Sequence, residues 1–200
     1  RSITNKLAAS TSMDILSFDY RLAPEHPYPA ALLDALQMWD YLMYLGYGAR
    51  DVILAGDSAG GNLALVLTLK LKEQERILPR GLVLFSPWTD LTRSGASHKA
   101  KAAIDPILTE EYLTRAIKDY TGERDLQDPF LSPLYGDFHD FPPTLIQAGS
   151  NEILLSDAQD LHKQMIRHQV GAKISIYQGM WHVFQMSPFK TAYEAMDQAA

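Results

Sequence analysis

No cysteine occurs in the 200 residues, which excludes disulfides and thiolate metal sites and fits a reducing, cytoplasmic compartment. No apolar run reaches the roughly 20 residues of a membrane-spanning helix, so no stable membrane insertion is expected. The first residues lack a signal-peptide core, although the chain begins at Arg1 and its natural start is not visible. Basic residues number 18 against 24 acidic ones and nowhere cluster, which argues against a nucleic-acid surface. Walker loops, dinucleotide fingerprints and metal-ligand spacings are also missing: Gly56, Gly60 and Gly61 do not fit G-x-G-x-x-G. Neither a cofactor nor a metal is expected.

What is present suits one domain over residues 1–200, since a hydrophobic fraction of 46% supplies a substantial core. Short apolar runs bounded by glycine and proline alternate with segments of helical spacing. Strands are expected at Ser12 to Phe18, Val52 to Ala55, Gly81 to Ser86, Pro143 to Ala148 and Ala172 to Tyr177. Helices are expected at Ala30 to Leu45, with Leu33, Leu36, Trp39, Tyr41 and Leu42 broadly on one side, and at Asn62 to Glu75, with Leu63, Val66, Leu67 and Leu71 on one buried face. Further helices are expected at Thr109 to Tyr120, Ser156 to His168 and Pro188 to Ala200. Three prolines make Asp19 to Pro29 an ordered turn. The alternation predicts a mostly parallel α/β sheet flanked by helices. It breaks around residues 88–140, a polar excursion after a strand's carboxyl end; this insertion reads as a cap or lid, with surface decoration as the alternative.

Gly56-Asp57-Ser58-Ala59-Gly60 joins an apolar strand to a helix. In that setting G-x-S-x-G is a nucleophile elbow, a turn tight enough to require very small flanking residues. Ser58 becomes the candidate nucleophile, and the Ala59 N–H at the helix start a candidate oxyanion donor. A serine hydroxyl is weakly nucleophilic at neutral pH and needs a base oriented by an acid. In a parallel sheet such groups collect at the carboxyl ends of later strands. His182, in the loop after Tyr177, answers to the base; the other five histidines read as surface or local packing. The loop after Ala148 offers Glu152 and Asp157. Glu152 directly follows the strand and is preferred, whereas Asp157 begins a helix and is explained by a dipole or cap role. Trp88, just beyond another strand end, is a candidate pocket wall or cap anchor.

DYRLAPEHPYPAALLDA from Asp19, GDSAGGN from Gly56, SPWTDLT from Ser86, SPLYGDF from Ser132, FPPTLIQAGSNEILLSDA from Phe141 and GMWHVF from Gly179 resemble the hormone-sensitive-lipase-like family of α/β-hydrolase esterases. The resemblance implies the α/β-hydrolase fold and a serine carboxylesterase. Small-molecule esters of short to medium acyl chain would be cleaved through an acyl-enzyme, with Ser58 as nucleophile, His182 as base and the Ala59 N–H in the oxyanion hole. A homodimer is left open, as are an amidase or deacetylase using the same triad and a non-catalytic small-molecule receptor on the same fold. Glu152-Ile153-Leu154 stands where many members carry Asp-Pro-Leu. The family's His-Gly-Gly-Gly loop, which supplies further oxyanion donors, belongs upstream of YRLAPE and is absent. The expectation is therefore a piece lacking the N-terminal strands, part of the cap and a few C-terminal residues. Loss of one oxyanion donor costs about 10²–10³ in rate, so these residues alone should be poorly active.

Overall fold

The computed structural model describes residues 2–200. Strands β1 (Ile53–Asp57), β2 (Gly81–Phe85), β3 (Thr144–Gly149) and β4 (Ala172–Tyr177) form one parallel sheet in the order of the chain. Around it lie α1 (Ser2–Thr11), α2 (Ala30–Tyr44), α3 (Ala59–Glu73), the short α4 (Ser97–Ala100), α5 (Glu110–Thr121), α6 (Leu155–Arg167) and α7 (Lys190–Ala199). Alternation along β2 divides the sheet's faces. Leu82 and Leu84 pack with Ala64, Leu65 and Leu161 from α3 and α6, whereas Phe85 packs with Leu7 and Met196 from α1 and α7.

Three expectations are corrected. Residues 12–18 form no strand: the described sheet ends at β1, so no neighbouring ladder is there to join, and Met13, Ile15 and Leu16 stay 41%, 39% and 50% exposed. Helix α2 turns Ala31, Leu32, Ala35 and Trp39 into the core against α3, leaving Leu33 and Tyr41 outside. Helix α3 is buried on every side from Gly61 to Leu69, not along one stripe, because the sheet, α2 and the segment after β2 all close on it.

The excursion between β2 and β3 has its own small core. Leu113 and Ile117 of α5 pack with Trp88, Leu91, Leu131, Ile153 and Leu154. Thr109 caps α5 as expected, its Oγ1 accepting the Tyr112 N–H at 3.1 Å. Inside the fold, the Asn62 side-chain amide donates to the carbonyls of Trp88 and Leu131 at 2.8 and 2.9 Å, fastening the excursion to α3.

Candidate active site

Ser58 lies between β1 and α3 with φ 53° and ψ −118°, a conformation that side chains avoid and that costs of order 1–3 kcal/mol. Two contacts hold it there: its N–H donates to the Phe85 carbonyl at 2.9 Å, and its carbonyl accepts the Trp88 N–H at 3.1 Å. A Cβ on Gly56 would lie 2.2 Å from the Gly60 carbonyl oxygen, so the elbow requires glycine there. Gly60 itself would meet nothing within 4 Å, so the expectation of a necessarily small residue holds on one side of the serine only. Ala59 opens α3, and its N–H is one of the helix-start donors with no partner inside the helix.

His182 arrives from the loop after β4. Its Nε2 is 2.9 Å from Ser58 Oγ and its Nδ1 3.3 Å from Glu152 Oε2. These partners imply an Nδ1–H donating to the carboxylate while Nε2 accepts the serine proton. His182 is 6% exposed and Glu152 fully buried. The next residue, Val183, has a left-handed backbone at φ 51°, uncommon for a β-branched side chain, and its N–H donates to Ser86 Oγ at 3.1 Å. The acid and histidine loops touch closely: the Asn151 N–H donates to the Met180 carbonyl at 2.9 Å, and a Cβ on Gly149 would come within 2.4 Å of that oxygen.

Asp157 sits in the first turn of α6, yet it caps no N–H of its own helix. Its Oδ2 accepts the N–H groups of Thr89 and Asp90 at 2.9 and 3.0 Å, and its Oδ1 lies 2.8 Å from His98 Nε2. Burial pushes its carboxyl upward, against the lowering effect of His98. His98, read from the sequence as one of the bystander histidines, is 3% exposed.

A cavity of about 440 Å³ opens beside Ala59, lined on its apolar walls by Leu63, Leu91, Ile117 and Trp88. Tyr20 and Tyr120 also line it. Burial pushes the Tyr120 phenol up to about 12, with Tyr28 and Tyr20 adding; burial and then Asp57 raise Tyr20. Both hydroxyls therefore stay protonated at neutral pH.

Among the described residues, Asp137, His139 and His168 form the one grouping with metal-ligand chemistry, their donor atoms within 4.8 Å of one another. Some of their donor atoms already have partners. His168 Nδ1 accepts the Phe138 N–H at 2.9 Å, and Lys72 Nζ lies 2.8 Å from Asp137 Oδ2. No helix among the described residues is long and apolar enough to cross a membrane.

The family described as having the α/β-hydrolase fold matches residues 1–186. The chain belongs to the α/β-hydrolase family. Within it, this α/β-hydrolase is similar to hormone-sensitive-lipase-like members. A hormone-sensitive lipase from a metagenome library superposes with TM-score 0.96 at 37% identity, over 99% of this chain and 69% of that one. An esterase of the bacterial hormone-sensitive lipase family gives TM-score 0.92 at 34% identity, over 96% and 66%. An esterase of Acinetobacter venetianus is 42% identical over 188 residues, 93% of this chain and 62% of the relative. An acetyl-hydrolase of Streptomyces hygroscopicus is 35% identical over 92% and 62%. The chain thus spans about 62% of the length of these two relatives.

Sequence reasoning missed Ser86, Ser97, His98 and Asp105, which hold the acid and histidine loops. Ser97 Oγ donates to the Ile153 carbonyl, and Asp105 Oδ2 accepts the Ile153 N–H at 2.8 Å. Asp105 also accepts the Ile107 and Leu108 N–H groups through Oδ1, a local turn signature that gives no hint of its distant partner.

Proposed function

We propose that the protein, at its natural length, is a serine carboxylesterase acting on small-molecule esters of short to medium acyl chain. The observation that carries this is the 2.9 Å approach of His182 Nε2 to Ser58 Oγ at a strained strand-to-helix turn. Ser58 Oγ attacks the ester carbonyl carbon while its proton passes to His182 Nε2. Glu152 holds the imidazole in the required tautomer and balances its charge. The oxyanion of the tetrahedral intermediate takes the Ala59 N–H together with the positive end of α3. Collapse breaks the bond to the alcohol oxygen, which leaves with the proton from His182. Water then repeats the sequence on the acyl-serine, releasing the acid. The cavity beside Ala59 is within the size range of small-molecule sites and mostly apolar, which supports a modest acyl or alcohol group over a bulky lipid. Residues 88–140 act in this reading as a cap whose Trp88 and α5 form part of the pocket wall.

A panel of esters of graded acyl length, with matched amides, tests the proposal. Ser58→Ala should lower kcat by at least about 10⁴-fold, the scale on which triad serines act, and abolish labelling by a serine-reactive phosphonate. Glu152→Ala should cost more activity than Asp157→Ala. Turnover retained in Ser58→Ala would overturn the nucleophile. Absence of both turnover and labelling in the parent would leave a binding protein, and faster cleavage of the amides would reassign the leaving group.

A further inference from the structure

Glu152 is held poorly by its own carboxylate. Oε2 makes a single long contact of 3.3 Å to His182, and Oε1 is buried without a hydrogen-bond partner. Its position is therefore set by the backbone on either side: Asn151 is held by the Met180 carbonyl, and the backbone after Glu152 is fixed from the excursion. Ile153 is gripped at its N–H by Asp105 and at its carbonyl by Ser97 Oγ. Ser97 Oγ also accepts the Ser156 N–H at 2.8 Å. Directly behind Ser97 and Ser156 stands the pair His98 and Asp157, with side chains 3% and 1% exposed. Asp157 then reaches the N–H groups of Thr89 and Asp90, and Thr89 Oγ1 returns a bond to the Asp157 carbonyl at 3.1 Å. One residue before Thr89, the Trp88 N–H holds the carbonyl of Ser58.

We propose that the buried His98–Asp157 pair is a positioning clamp: it locks the loop that holds the nucleophile's carbonyl to the helix that follows the acid, and so sets the reach of Glu152 to His182. The proposal rests on the esterase reading of Ser58, His182 and Glu152. Neither clamp residue touches the reacting atoms or the described cavity, and Asp157 faces His98 and not His182. A purely stabilising ion pair would predict no particular link to turnover. Here the pair lies between the two loops whose separation decides whether the hydrogen-bonded chain is in reach, and small misplacements of reacting groups are costly.

The test uses the protein at its natural length, with kcat expressed per phosphonate-titratable serine so that only competent molecules are counted. Asp157→Asn and His98→Phe should lower kcat about 10- to 100-fold, the scale of an ångström-sized misplacement, with KM unchanged within error. His98→Gln, which keeps a donor at the Nε2 position, should restore most of kcat. If Asp157→Asn does not fold, the comparison of His98→Phe with His98→Gln decides alone. Variants that melt earlier but keep the parent kcat, or that raise KM with kcat unchanged, overturn the clamp. Failure of His98→Gln to recover turnover also overturns it. Ser58→Ala is measured alongside. Turnover surviving there overturns the esterase reading itself, whereas turnover lost there but intact in the clamp variants overturns the clamp alone.

Discussion

Gly56 and Gly60 stand two residues to either side of Ser58 in very different surroundings. Alanine at 56 must push its methyl into the Gly60 carbonyl, and overpacking of this kind costs about 1–3 kcal/mol or more. Gly56→Ala should therefore lower the melting temperature and slow phosphonate labelling of Ser58. Alanine at 60 enters open space within α3, where replacing glycine gains up to about 1 kcal/mol, so Gly60→Ala should melt no earlier than the parent. The residues brought together at the site were legible because each follows a strand at the sheet's carboxyl edge, a local pattern. His98 and Asp105 were not. Their partners Asp157 and Ile153 lie far along the chain, and the intervening segment has no periodicity from which the pairing might be read.

Helix α5 buries Leu113 and Ile117 in the excursion's small core, with Ala116 and Tyr120 packed beside them. Leu113 is 1% exposed, and truncating such a side chain to alanine costs about 2–5 kcal/mol. Because the same helix supplies Ala116, Ile117 and Tyr120 to the cavity wall, Leu113→Ala should raise KM for the longer acyl esters of the panel more than for acetates. The strands β1 to β4 and helices α3, α5 and α6 fall close to where alternation and capping put them. The failures have a common physical origin. Hydrophobic pattern reports which residues prefer burial, but not what is available to bury them. Residues 12–18 carry a strand's pattern without a neighbouring ladder, and α2 has more apolar positions than α3 can cover, so the small Ala31 and Ala35 went inward while Tyr41 stayed out.

Across the whole molecule, acid stability follows from three aspartates held below the ordinary range. Asp34 is lowered chiefly by its hydrogen bond from Arg21, and Asp137 chiefly by that from Lys72. Burial would raise Asp90, but hydrogen bonds from Ser94 and Thr92 outweigh it. A depressed folded value means stabilisation that is complete above the unfolded value of about 3.9 and is lost as pH falls through the folded one. The melting temperature should fall modestly as pH drops below about 4, and Lys72→Met should make that fall shallower. Each exposed pair contributes modestly. Asp157 works in the opposite direction, because burial raises its carboxyl; its contribution is larger at low pH and declines as pH rises through its folded value.

The two faces of the sheet are covered by very different lengths of chain. On one face α3 and α6 are crossover helices, each close in sequence to the strands it covers. On the other, Phe85 is covered by Leu7 and Met196, and Lys6 Nζ reaches the carbonyls of Gln185 and Ser187 at 2.8 and 3.1 Å. These contacts join residues 179 and 181 positions apart, so closing them carries a large loop entropy. During synthesis α1 emerges long before α7 and has to wait for it. Until α7 arrives, Phe85 lacks the Met196 side of its apolar cover.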